Sequence, residues 1–245
     1  RDVAVTGVQT CALPIYDQAE GIGEAGKDKH IGRGQMSGQI LALLVAQVIH
    51  AGILLLQFAA LRASAIVCVS RRLRDRLWWK RASVRVLASG VDPHVFTPGP
   101  RKDARRKLGW GDDERVVLFN AGHDPRVKRL DLARETVDTA VRWISRLRLE
   151  VLHGSTDPEW MPVYMNAADC LLLTSDSEGS PTVIQEALAT NLPIVSVDVG
   201  DTSERLEGVR ETAIAPRDPE ALAIALARIL SGRRRSDGRR KIDEF

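Results

Sequence analysis

The sequence predicts an α/β protein built on a Rossmann-like, doubly wound parallel sheet, and three observations predict it. Short, continuous apolar runs such as AIVCVS at 65–70, VVLFNAG at 116–122 and DCLLLTS at 169–175 read as strands buried on both faces. Stretches with helical spacing of apolar residues lie between them, DLARETVDTAVRWI at 131–144 and PEALAIALARIL at 219–230 being the clearest. The two kinds of segment alternate, which requires right-handed crossovers and helices on both faces of the sheet.

In chain order, AIVCVS is followed by a basic helix, RRLRDRLWW, and by a strand at Val84–Leu87. SGVDPHVFTPGP, 89–100, carries Gly and Pro and reads as a connector. Strand 116–122, helix 131–144, strand LRLEVLHG (147–154), short helix MPVYMNAA (161–168) and strand DCLLLTS come next. Helix PTVIQEALA (181–189), strands PIVSVDVG (193–200) and TAIAP (212–216), and helix 219–230 complete the series. The expected domains are 16–88 as the remnant of a first domain, 89–98 as connector and 99–245 as one complete second domain.

The start of the chain reads differently. VTGVQTCALPI, Val5 to Ile15, has neither helical nor alternating pattern and resembles one reading frame of a sequencing adapter, so residues 1–15 are set aside as artefactual. A piece of a longer protein is therefore expected. Gly34 to Leu61 holds no charged residue, and its length permits a membrane span. Gln47, His50 and Gln57 are expensive in lipid, which favours a soluble helix whose apolar face has lost its packing partners and leaves the span as the alternative.

With 245 residues, 44% hydrophobic and 27% charged, the chain can build a core and is not globally disordered. A net charge of +3 is too small to imply a nucleic-acid partner. Arg233, Arg234, Arg235, Arg239, Arg240 and Lys241 cluster in a tail that reads as solvated and poorly ordered, with a peripheral membrane contact as the second reading. Cys11, Cys68 and Cys170 show no metal spacing; Cys68 and Cys170 sit in strand-like runs as small core residues.

Ligands of open parallel sheets bind beyond the carboxyl ends of the strands. There, SDSEGSPTVIQEA, Ser175 to Ala187, follows DCLLLT directly. Ser180 suits an N-cap and Pro181 the first helical position, so the first free amides of the helix form an anion site fit for a diphosphate. Gly179 allows close backbone approach, and Glu178 and Glu186 are acceptor-only groups suited to hydroxyls. The plain alternative, an ordinary strand–turn–helix with two solvated glutamates, stays open on chemistry alone. A second element, NAGHDPRVKRLD from Asn120 to Asp131, places Gly122, His123, Lys128 and Arg129 after a strand; cations at a helix start are unfavourable unless an anion is bound there. A third, HGSTDPEW at 153–160, reads as a wall of the pocket or as a surface loop.

These segments carry a resemblance. Glu178 and Glu186 look like the E-x7-E signature of glycosyltransferase family 4, of GT-B type, and NAADCLLLTSDSEGSPTVIQEALATNLPIVSVDVGD resembles that family's donor-domain segment throughout. SGVDPHVFTP resembles its interdomain stretch, with Ser89 where Asn is usual, and SAIVCVSRRLRDRL resembles the end of its first domain. The likeness covers Arg62 to Leu230. It implies a retaining transferase that moves a sugar from a nucleotide diphosphate sugar to a saccharide, lipid or small-molecule acceptor, without metal or other cofactor. Work on cell-envelope or exported polysaccharide at the cytoplasmic side of a membrane is the associated expectation.

The resemblance further implies that Lys128 binds phosphate and that Glu178 sits by the donor sugar, both in catalytic roles. Glu186 would bind ribose, while Gly122, His123, Arg129, Gly179, Ser180, Pro181 and Thr182 would line the donor site. His123 stands where the family usually has Arg, and a neutral imidazole is a weaker phosphate clamp; Arg126 or Arg129 substitutes, or binding is weakened. Two other readings stay open, a sugar-nucleotide epimerase of the same architecture and a nucleotide-binding fragment without turnover.

Overall fold

A computed structural model of the chain describes residues 66–76 and 84–243. The expectations for residues 1–15, for Cys11, for Gly34 to Leu61 and for the basic helix beyond Arg76 fall outside them. Two compact units divide the chain, and residues 68–78 and 86–245 make up the second, which holds every site described below.

The first elements are short. Strand β1 (Ile66–Cys68) pairs with β2 (Val84–Val86) in a two-stranded sheet, and helix α1 (Arg71–Asp75) follows β1. The Ser70 hydroxyl caps α1 by accepting from the Leu73 amide at 3.3 Å.

The main sheet contains β3 (Arg115–Gly122), β4 (Leu147–His153), β5 (Cys170–Leu173), β6 (Ile194–Ser196) and β7 (Thr212–Ile214). Its order is β4-β3-β5-β6-β7, and every pairing is parallel. Val116, Val117, Leu118 and Phe119 of β3, all four residues of β5 and all three of β6 are buried. Those are the apolar runs that a sheet covered on both faces requires. Helix α2 (Arg101–Leu108) packs with α4 (Met161–Ala167), and α5 (Thr182–Ala189) packs with α8 (Arg239–Asp243). Helix α3 (Leu130–Ala140) packs with α7 (Pro219–Ser231), and α6 (Thr202–Leu206) packs beside β7. The architecture is the expected doubly wound α/β fold.

The tail departs from expectation. Arg235 donates to the carbonyls of Ala168 (2.8 Å), Met165 (3.1 Å) and Thr190 (3.0 Å). Arg239 donates to those of Pro93 and Phe96, and the Ser236 amide bonds the Asn191 carbonyl. Burial pushes the Arg235 guanidinium down to about 10. The basic cluster is therefore partly a set of staples, because carbonyls at helix ends lack intrahelical donors and Arg supplies several at once. Helix α2 was also illegible. Its inward face is carried by Arg105, which is 1% exposed. Cys170 is buried and Cys68 half-buried, and neither forms a disulfide.

Candidate functional site

Strand β3 leads outward to β4, whereas β5 lies on the other side of β3. The order in which strands are added thus reverses between β3 and β5, and in such sheets the ligand crevice lies there, where the loops after the two strands part: the topological switch point. The two loops there are 123–129 and 174–181, which hold most of the sequence-derived candidates; Gly122 ends β3, and Thr182 and Glu186 lie in α5.

The first loop begins at an irregularity in the β3–β4 register between Asn120 and Gly122. Gly122 takes φ +54°, a left-handed conformation that glycine adopts without strain, and the Lys128 stem passes close to it. The loop is then tied to the end of β5. The Thr174 hydroxyl donates to the carbonyl of Lys128 (2.9 Å) or of Arg129 (3.0 Å), and the Asp176 amide donates to Val127 at 3.0 Å. These ties fix the backbone of Lys128.

Lys128 and Glu178 meet. Nζ lies 2.6 Å from Oε1, with the two side chains 28% and 14% exposed. Glu178 belongs to the turn that precedes α5, and Glu186 lies in the second turn of that helix. Glu186 Oε2 is buried without a hydrogen-bond partner, and burial pushes its carboxyl up to about 7.

The start of α5 differs from expectation by one position. Pro181 occupies the cap position in an extended conformation, and Ser180 does not cap the helix. Instead the Ser180 hydroxyl donates to Asp201 Oδ2 at 2.8 Å, the same oxygen that receives Arg205 Nε at 2.8 Å. Proline fixes its own φ, so the extended arc ends at Pro181 and the free amides begin at Thr182. Thr182 is exposed; Gly179 and Ser180 are half-buried.

Arg129 is engaged by two carboxylates. It sits at φ +57° before α3, and its guanidinium donates to both carboxylate oxygens of Asp131 (3.0–3.1 Å) and to Asp176 at 3.1 Å. The bonds to Asp131 and Asp176 hold that guanidinium well above its usual range. These bonds make Arg129 a brace between the two loops. Arg126, the other substitute for the missing arginine, is exposed beside Asp124. His123 is exposed, and its ring lies over Gly154, where an added Cβ would come within 2.2 Å. The Gly154 amide donates to the Gly122 carbonyl at 2.7 Å, so the 153–160 loop does stand beside the first loop.

Three contributors went unread in the sequence: Thr174, Gly200 and Asp201. Gly200 takes φ +60° and presses on the 178–179 turn, with an ideal Cβ 3.0 Å from the Gly179 carbonyl oxygen. The glycine that closes PIVSVDVG was the available signal. Among the described residues no group of three His, Cys, Asp or Glu is placed to hold a metal, and no helix is long and apolar enough to cross a membrane.

At the switch point the domain thus brings together an ion-paired lysine and glutamate, the start of a helix and a second, buried carboxylate, groups whose chemistry suits an anion that also bears hydroxyls. Residues 63–232 match the family described as glycosyl transferases group 1, and the chain belongs to that family. It is 27% identical over 184 residues to the putative teichuronic acid biosynthesis glycosyltransferase TuaC of Bacillus subtilis (strain 168), covering 68% of this chain and 46% of that protein. The chain thus spans about half the length of the curated relatives it matches. Its fold resembles sucrose-phosphate synthase from Thermosynechococcus elongatus (TM-score 0.64, 24% identity, 75% of this chain and 54% of that one). It also resembles Anabaena Alr3699/HepE solved in complex with UDP-glucose (TM-score 0.60, 18% identity, 74% and 58%). The fold is of the GT-B type.

Proposed function

We propose that residues 99–245 form the donor-binding domain of a retaining glycosyltransferase, which moves a sugar from a nucleotide diphosphate sugar to an acceptor hydroxyl in cell-envelope or exported-polysaccharide synthesis. One observation carries the reading: Lys128, Glu178 and the start of α5 converge at the switch point of the sheet. Family membership, and a fold neighbour that holds UDP-glucose, support it.

The chemistry follows from charge. As the bond between sugar and diphosphate breaks, negative charge grows on the departing phosphate oxygen. The Lys128 ammonium and the amides from Thr182 onward face that charge, and interactions that strengthen as it develops accelerate the step. Glu178 accepts hydroxyls of the transferring sugar, Glu186 accepts those of ribose, and neither role needs a divalent metal. His123 and the 153–160 loop form the far wall of the nucleoside pocket.

Lys128→Ala tests this. Titration calorimetry with UDP, ADP and GDP beside the parent nucleosides is expected to show about a tenfold or greater loss for the diphosphate that binds, and little change for its nucleoside. Equal losses for both would contradict a phosphate contact. A sugar-transfer assay with NMR of the product anomer separates transfer with retention from epimerisation and from binding without turnover.

A further inference from the structure

We propose that the Lys128–Glu178 pair makes the site distinguish a nucleoside diphosphate that still carries its sugar from one that has lost it; this rests on the reading of the crevice as a sugar-nucleotide pocket. The two side chains are each other's hydrogen-bond partners at 2.6 Å, and both are largely shielded from water. A pyrophosphate at Lys128 draws the ammonium toward itself and away from Oε1. Glu178 then keeps its charge, loses its cation and faces an anion at close range, and a shielded carboxylate stripped of its partner is strongly unfavourable.

A sugar attached to the diphosphate changes the balance. Its hydroxyls donate to the released carboxylate and replace the bonds that Lys128 gave up. A bare diphosphate brings no such donors, so the exchange goes uncompensated. The site therefore favours its donor over its own leaving group, which loosens the product once the sugar has gone, at a stage that often limits turnover.

Neighbouring cations do not take over the task. Arg129 is committed to Asp131 and Asp176, and Arg217 to Asp176 and the Ser175 carbonyl. Nor does the exchange need a loop to move. The backbone of Lys128 is held through Thr174, and the side chain alone swings past Gly122. The pair thus couples two recognition events, phosphate capture and sugar capture, through one hydrogen bond.

The test is calorimetric, on the full chain, with UDP and UDP-glucose, and with the ADP and GDP pairs in parallel. Glu178→Gln nearly preserves shape and removes the charge. It is expected to bind the bare diphosphate about fivefold tighter and the sugar nucleotide more weakly, so that the ratio of the two affinities collapses. In a Lys128→Ala background the gain for the bare diphosphate is expected to shrink to what repulsion between Glu178 and the anion alone supplies, because no ammonium remains to be released. A gain that persists undiminished there would assign Glu178 to plain repulsion and overturn the exchange, as would an unchanged ratio in Glu178→Gln alone. Failure of wild type to bind any of these nucleotides would overturn the reading of the pocket itself, and a thermal melt of each variant shows that it is folded.

Discussion

Glu186 shows what a single residue's surroundings add to its identity. The eight-residue step from Glu178 marks it in the sequence, and nothing there shows that one of its oxygens is buried without a partner. That environment raises its carboxyl from about 4.5 to about 7. The folded state therefore holds the proton more tightly than the unfolded chain, and the associated stability is full below about pH 4.5 and lost as pH climbs through 7. The loss is on the order of 3 kcal/mol, and Glu186→Gln is expected to abolish it. Nucleotide affinity should move in the opposite direction. Ribose hydroxyls donate to the ionised form, so a sugar nucleotide, whose diphosphate has no proton to lose in this range, binds more tightly at pH 8 than at pH 6 in wild type and loses that gain in Glu186→Gln. Urea midpoints and calorimetric affinities at both ends of that range check the two signs together.

At the scale of elements, legibility followed the apolar pattern and ended where polar groups carry the packing. Strands β3, β5 and β6 were readable because nearly every residue in them is hydrophobic and buried. Helix α2 was not, because RKDARRKL presents no apolar stripe; Arg105 replaces it, with its guanidinium on the carbonyls of Ala167 and Glu114 and 2.7 Å from Asp169. Asp169 also accepts from the Val116 amide at 2.7 Å and is ion-paired with Arg101 at 2.6 Å, tying α2 to the start of β3 and to β5. The tail hid its role in the same way, since a run of arginines looks like a solvated face until a fold offers it carbonyls. Asp169→Ala is expected to lower stability by about 4 kcal/mol, because Arg105 stays buried without its anion. A lower urea midpoint at unchanged slope would show it, and a change under 1 kcal/mol would mean that the carbonyls alone satisfy Arg105.

At the scale of the whole domain, alternation along the chain announces a parallel sheet and says little about which strands become neighbours. Strand order is settled by packing across the sheet, and it is that order which brings Lys128 from one loop against Glu178 from another, fifty positions on. The β6–α6 loop enters the same assembly. Gly200 at φ +60° lies against the carbonyls of Glu178 and Gly179, and Asp201 beside it holds Ser180. Gly200→Ala is expected to strain that loop and push the turn outward, lowering stability by about 1–2 kcal/mol and nucleotide affinity by about tenfold. Gly200→Asn separates the two causes. Asparagine accepts a left-handed φ more readily than alanine, so it should recover part of the stability. Its Cβ still meets the Gly179 carbonyl, so affinity should remain low. Recovery of both in Gly200→Asn would show that backbone strain alone was at issue and that the loop does not position the turn.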